Sequence, residues 1–512
     1  MSLFAPSTQV ILCNVPIDRT QVNQIKFANV AAQTAYFKSK KIFDFSVTPQ
    51  TFVRKDQYIK IDKNIDELFN VNYVMFDNYT IYSKWVYCFI TRMEFVSEKC
   101  TKIYIETDVF QTWFLQCQFL PCFVSREHIA VDDIGKNLID EGLETGEYIV
   151  NSAFYNNALK DLEYVVMTTT VNADDNDVYC QVANGIKSTV IYIKFNTDFE
   201  LQHWITVMTS ANKLSAILGI ILIPKCLCGD FLPEYAGKHI FDVSHKSIDT
   251  EMININPDIN GYFPKNGKLF QYPYNFLHVT TNNGTQNNYM WEYFTNALAV
   301  QFVIDGGVMP NPVVKLSPKN YKNLVTNRME ALTLSDYPQV PFVNDAFQAY
   351  LAGNGVGIAA TLAGSTIGAV ASGFLGNPIG VASGVLAIGS EIGQIYQHST
   401  EPSQANGTPS GSANIGTGIQ TYHFSRMSIT SQRAKIIDDY LTMYGYKTQE
   451  VKIPNLEGRP IFNYVKTIAA NITGAVPSED MEKLKAVFNN GVTLWHNGNN
   501  VGHYEKDNRV GV

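Results

Sequence analysis

Between Ala346 and Ser390 the chain carries no Asp, Glu, Lys or Arg. The stretch LAGNGVGIAATLAGSTIGAVASGFLGNPIGVASGVLAIGSEIGQIY, at 351–396, is almost entirely Gly, Ala, Ser, Val, Ile and Leu. Residues 356–375 number twenty. A helix of that length, at about 1.5 Å per residue, spans about 30 Å, the thickness of a hydrocarbon core. Gly376, Asn377 and Pro378 read as a helix-breaking turn, after which 379–396 run back with Glu391 as the one charge. The pattern predicts a helical hairpin.

Small residues recur at four-residue spacing on both arms: Gly353, Gly357, Gly364, Gly368, Gly380, Gly384, Gly389 and Gly393. In lipid that spacing lets helix backbones approach closely. In water each glycine costs a helix about 0.5–1 kcal/mol relative to Ala. The stretch is therefore a poor helix in water and a better one in lipid, where backbone hydrogen bonds must be made internally. The apolar positions expected to meet lipid are Leu351, Val356, Ile358, Leu362, Ile367, Val370, Phe374, Leu375, Ile379, Val381, Val385, Leu386, Ile388, Ile392, Ile395 and Tyr396. A buried Gly/Ala-rich element is the plainer reading. The length, the missing charge, the central turn and the polar stretch that follows (HSTEPSQANGTPSGSANIGTG) favour insertion. A permanent anchor fits poorly, because the stretch is only mildly hydrophobic and lacks basic flanks. Conditional insertion is the expectation.

Composition narrows the setting. A chain of 512 residues holds two to four domains. Charged residues are 17 % and aromatic residues 12 %, a balance suited to a β-rich chain whose Tyr and Asn cover surface or interface. The net charge of −8 argues against gripping nucleic acid through its phosphates. The eight cysteines (Cys13, Cys88, Cys100, Cys117, Cys122, Cys180, Cys226 and Cys228) form no zinc spacing and are expected as reduced thiols. The first twenty residues lack the basic and apolar regions of a signal peptide.

Along the chain, residues 1–125 read as a β-rich domain. Trp85, Tyr87 and Phe89 alternate onto one strand face, as do Ile103 and Ile105, with SEKCT as a hairpin connection. Residues 126–265 read as a mixed α/β region that opens on an acidic, Gly-punctuated loop. LGIILIP within it has the length of a buried strand. A second β-rich segment follows at 266–345, then the apolar loop and its polar tether at 346–425, then an α+β segment at 426–512. In the last, Ser478 is a candidate N-cap, Glu479 and Asp480 suit the helix dipole, and Met481, Leu484, Val487 and Phe488 share a face. The fold class is mainly β with some α, in several domains.

SKWVYCFITRMEFV, IETDVFQTW, PCFVSREHIAVDDIG, GLETGEY, FQYPYNFLHVTTNNG, GYKTQEVKIPNLEGRPIFNYVKT and GVTLWHNG, in that order, resemble the distal tail knob (tail tube) proteins of small short-tailed phages of Gram-positive bacteria. Residues 346–425 are similar to that family's pore loop in position and composition. The resemblance implies a virion protein at the distal tail, a ring-forming tube of six identical copies. Its implied partners are the collar or lower tail tube, the tail-tip proteins, and double-stranded DNA that passes without specific binding. It also implies that the 346–425 loops leave the tube on ejection and enter the host cytoplasmic membrane. It carries over no catalytic residue, cofactor or metal.

The enzyme readings are weak. Asp132, Asp133, Asp140, Glu141, Glu144 and Glu147 crowd one loop, as a glycosidase pair or a calcium site would require, yet their spacing fits no twelve-residue calcium loop. A solvated or interface loop is expected instead. There is no His-Glu-x-x-His, no Gly-x-Ser-x-Gly and no phosphate loop, and His496 reads as a structural histidine. The alternative reading is a receptor-binding or wall-degrading tail protein.

Overall fold

In a computed structural model the described residues are 7–340 and 422–508, apart from 79–83, 160, 184, 212, 214, 215, 282, 283, 310–312, 335, 336 and 338. The chain divides into two compact units, each assembled from separate stretches. Unit 1 is Met1–Gly146, Gly261–Leu269 and Ser431–Val512; unit 2 is Glu147–Asn260 and Phe270–Thr430. Both are mainly β-sheet with a few helices.

Unit 1 begins with a seven-stranded sheet in the order Lys41–Asp44, Gln9–Cys13, Tyr73–Asp77, Val86–Ser97, Cys100–Thr107, Tyr58–Ile61, Thr51–Val53. Its two outermost strands are neighbours in sequence. Thr8 also bridges Gln50, whose N–H donates to the Thr8 carbonyl at 2.8 Å, so the stretches leading into Gln9–Cys13 and Thr51–Val53 meet. Strict alternation builds two cores. Val10, Leu12, Val74, Phe76, Val86, Cys88, Ile103 and Ile105 pack on one face. Ile11, Cys13, Tyr73, Met75, Tyr87 and Phe89, with Trp85 against them, pack on the other. The strand faces expected for Trp85, Tyr87, Phe89, Ile103 and Ile105 are therefore present. Val86–Ser97 and Cys100–Thr107 pair as the expected hairpin.

The second face is closed by a helix that the alternation did not reveal, Val30–Ser39. Asn29 caps it by accepting from the Ala32 N–H at 2.9 Å, and Phe37 stacks on Tyr73 with centroids 5.2 Å apart. A second sheet runs Asn23–Ile25, Val492–Trp495, Phe462–Ile468, Cys122–Glu127, Tyr446–Lys452. The helix Ser478–Asn490 packs Leu484, Val487 and Phe488 with Phe110, Val465 and Leu494, and Met481 lies against the same cluster. Its N-cap is Pro477, not Ser478. Pro477 supplies the extended residue before the first turn, and with Ser478 already inside the helix no side-chain cap bond forms. Glu479 and Asp480 do occupy the first turn.

Unit 2 surrounds one large core. Ile191–Phe195, Leu162–Thr168, Ile217–Pro224 and Gln339–Val340 form one sheet, in which the LGIILIP run is an interior strand. The helix Asp198–Ser210 buries Leu201, Trp204, Ile205 and Met208 in a satellite cluster with residues of that sheet. A second sheet is centred on Ala299–Gly306 and Val314–Tyr321, and a third runs Tyr148–Tyr155, Tyr422–Ile429, Asn275–Thr281, Gln286–Tyr289. The main core gathers Val165, Ile221, Leu277, Trp291, Phe302, Leu316 and Phe424 from all three. Among the described residues no helix is long and apolar enough to cross a membrane.

Gly491 ends the last helix at φ +95°, and a Cβ there would collide with the ring and hydroxyl of Tyr464. Gly491→Ala combines left-handed strain with that clash. It is expected to destabilise the protein by about 1–3 kcal/mol, read as a lower denaturation midpoint with unchanged m-value.

Candidate functional site

The apolar stretch, including every lipid-facing, turn and packing residue named for it from Leu351 to Tyr396, lies outside the described residues. The structure does fix where the chain leaves for it and where it returns. On the outgoing side, Gln339–Val340 pairs with the interior strand at Ile221 and Ile220. Just before it, Leu332, Leu334 and Tyr337 are buried in the main core of unit 2. On the return side Tyr422–Ile429 enters between two strands. It pairs Phe424 with Phe154 on one flank and with Val279 on the other.

Tyr422 is fully buried, and its hydroxyl lies 3.2 Å from both the Val314 and Leu332 carbonyls. Burial holds its pKa well above the ordinary tyrosine value, so it remains a neutral donor. Phe424 stacks on Phe154 at 5.2 Å with rings 6° apart and meets Phe302 edge-on at 5.4 Å. Arg426 donates to the Asn254 carbonyl at 2.9 Å and to Ser152 Oγ at 2.8 Å. Both ends of residues 341–421 are thus held by one hydrophobic core. Loop-closure entropy grows only slowly with length, so an insert of this size costs the fold little when its ends are fixed. The anchoring tyrosines carry no sequence signal that separates them from the chain's other 26.

The acidic loop is structural. Glu141 is buried and ion-paired with Arg126 at 2.8 Å and Lys268 at 2.7 Å, and it accepts the Lys447 N–H at 3.0 Å. Arg126 also donates to the Gly445 carbonyl at 2.6 Å. Asp132 accepts from the Gly267 N–H at 2.9 Å and the Tyr446 hydroxyl at 2.7 Å; burial raises its pKa. Asp133, Asp140 and Glu144 are exposed, as is Glu147, which begins unit 2. Glu144 meets Arg433 at 3.1 Å, and Asp140 accepts the Gly142 N–H at 3.0 Å. The carboxylates do not converge on one point. Among the described residues no group of three or more His, Cys, Asp or Glu could hold a metal. The expected solvated or interface loop is right for the exposed members but not for Asp132 and Glu141.

Beside this loop His128 is wholly buried. Its Nδ1 accepts the Tyr464 N–H at 2.7 Å, and Nε2 lies 3.0 Å from the Thr442 carbonyl, to which it donates as the neutral tautomer. Burial, and next the Arg459 charge, depress its pKa to about 3. His496 meets Asn463 Nδ2 at 2.6 Å, the structural role expected of it. In unit 2 an open cleft of about 550 Å³ is lined by Asp174, Asp175, Glu200, His203 and Lys238. Lys238 is already paired with Asp175 at 2.7 Å.

A family model described as Bacillus phage phi29, tail knob protein gp9, C-terminal domain, matches residues 239–509. One described as Caudoviral major tail protein N-terminus matches residues 6–118. The tail knob proteins gp9 of Bacillus phages B103 and phi29 are each 27% identical to the chain, and the matches cover 98% of both partners. The solved tail knob protein gp12 of bacteriophage C1 shares the fold at a TM-score of 0.70 and 16% identity, over 96% of this chain and 97% of that one.

Two outcomes follow from the polar cluster. Glu141→Ala strands two buried cations and is expected to cost about 3–5 kcal/mol, whereas Asp133→Ala changes stability by less than about 0.5 kcal/mol. Chemical denaturation of both variants measures the contrast. His128 has its pKa lowered by folding, so its stabilising contribution is complete above about pH 6.5 and is lost as pH falls toward about 3. His128→Asn is expected to show a shallower fall in stability than the parent between those limits.

Proposed function

The chain belongs to the tail knob gp9 family of phage tail proteins, and from that premise we propose that six copies close into a ring around the DNA path at the distal end of a short tail. The family's members are structural proteins of the virion tail, not enzymes, and this chain has that role. The finer reading concerns 346–425: on ejection these loops leave the tube and enter the host cytoplasmic membrane, giving the genome a passage.

The observation that carries this reading is the contrast between the insert and its anchors. Residues 346–390 have no acidic or basic side chain, while both flanks end in a core of buried aromatic and aliphatic side chains. Such anchoring leaves a stretch free to change environment without unfolding the domain that carries it. Confined in a tube, six copies cover their apolar side chains on one another. Beside a bilayer each forms the hairpin turning at Gly376-Asn377-Pro378, and glycine faces pack the helices closely. Glu391 then faces the aqueous pore or the membrane surface, since a carboxylate at the bilayer centre costs about 2.5–3.5 kcal/mol on insertion scales. The collar or lower tail tube and the tail-tip proteins are its neighbours in the virion. DNA passes without specific binding, consistent with a chain of net charge −8.

Deleting 351–396 is expected to leave the ring intact in electron micrographs and to abolish dye release from liposomes. Asp at both Ile367 and Leu386 is expected to do the same with less perturbation. Dye release equal to the parent in both variants would contradict membrane insertion; a monomeric parent would contradict the ring.

A further inference from the structure

The open cleft of unit 2 combines a fixed floor with polar groups that have no partner. Glu200, His203, Trp204 and Val207 line it at helical spacing along Asp198–Ser210. The 172–175 turn faces them and is held from several sides. Trp204 Nε1 donates to the Val171 carbonyl at 2.7 Å, Lys213 donates to the Ala173 carbonyl, and Lys238 pairs with Asp175 at 2.7 Å. Asp175 also accepts the Tyr179 hydroxyl at 2.7 Å. Donation from Lys238, and next from the Asp177 N–H, lowers the Asp175 pKa to about 2. Asp175 and Lys238 therefore stay charged and engaged with each other.

The remaining groups are uncommitted. Among the described residues no hydrogen bond or ion pair engages the Asp174, Asn172 or His203 side chain, and Asp174 and His203 are exposed. Glu200 accepts the Asn196 N–H at 3.3 Å through one carboxylate oxygen, which leaves the other open. Beside these groups runs an apolar row. Phe199 lies one helical turn before His203 and is 78% exposed; Val207, one turn after it, is 40% exposed.

This chemistry narrows the choice of ligand. Carboxylate, amide and imidazole groups all hydrogen-bond to hydroxyls. An open aromatic ring beside them suits a molecule with one apolar face and one polar edge. A sugar ring has both. A polyanion fits poorly, because Asp174, Asp175 and Glu200 outnumber a lysine that is already paired. A wholly apolar guest would cover those carboxylates without satisfying them. The volume of about 550 Å³ lies within the range of small-ligand sites.

We propose that this cleft binds a saccharide, with Phe199 against the face of the sugar ring and Asp174, Glu200 and His203 hydrogen-bonded to its hydroxyls. The site gives a structural tail protein an adhesive role, and it depends on neither the ring nor the insert.

The test is titration of the full-length protein with glucose, galactose, N-acetylglucosamine and glucosamine, followed by saturation-transfer NMR. At least one sugar is expected to bind saturably, with a dissociation constant of about 1 mM or tighter. Phe199→Ala and Asp174→Asn are each expected to weaken that binding by at least about tenfold. Both side chains are exposed, so the denaturation midpoints should stay at the parent value. Phe69→Ala removes a ring that is 82% exposed in unit 1 and is expected to bind like the parent. No saturable binding by any of the four sugars would overturn the proposal. So would parental affinity in Phe199→Ala, or an equal loss in Phe69→Ala. Binding of ethanolamine as tight as that of glucosamine, with the neutral sugars inert, would assign the cleft to ammonium groups and also overturn it.

Discussion

The pairing of Tyr422–Ile429 between Tyr148–Tyr155 and Asn275–Thr281 is the constraint on which unit 2 depends. This strand is interior to its sheet, yet it arrives only after the chain has passed through 341–421. Its neighbours on either flank begin more than 140 residues earlier. The sheet therefore closes late and by long-range contacts, the slow and costly kind. What secures it is the burial of Tyr422 and Phe424 beside Leu332, Leu334 and Tyr337, so the two ends of the insert are fixed by one core rather than by the insert's own structure.

Unit 1 solves a related problem with charge. Three separate stretches meet where Glu141 binds Arg126 and Lys268 and where Asp438 accepts from Lys265 N, Asn266 N and Asn266 Nδ2 at 2.8, 3.1 and 2.8 Å. A buried ion pair gains little over a well-packed apolar core, but removing one partner is severe. Such a cluster therefore penalises any arrangement in which one stretch is missing. That accounts for acidic residues which, from their crowding alone, could suggest catalysis.

Much of the strand structure was legible because alternation is a local signal. Trp85, Tyr87 and Phe89 lie on one face, and the uncharged run LGIILIP is a buried strand. Alternation reveals neither the Val30–Ser39 nor the Ser431–Tyr444 helix. The first has only Gln33 and Phe37 buried, too few for a periodic stripe, and its cap Asn29 lies in an otherwise polar stretch. Ser478 had the right chemistry for a cap but stands one place too late, a difference that sequence pattern does not resolve. Asp132 depends on Gly267 and Tyr446, and Glu141 on Lys268 and Lys447 as well as the nearer Arg126, so neither role shows in local spacing. For the candidate site, the absence of charge marked the apolar stretch at once, whereas its anchors Tyr337 and Tyr422 are ordinary tyrosines until the core is assembled around them.

Under the proposed function, 351–396 moves from water-excluded confinement into lipid. The five native tryptophans, Trp85, Trp113, Trp204, Trp291 and Trp495, all lie outside that stretch. A tryptophan placed by Ile367→Trp therefore reports on the stretch against the parent as background. Mixed with vesicles of brominated lipid, the variant is predicted to lose the added fluorescence, while the parent signal holds. Equal quenching in variant and parent, or none in either under conditions that release dye, would contradict the account.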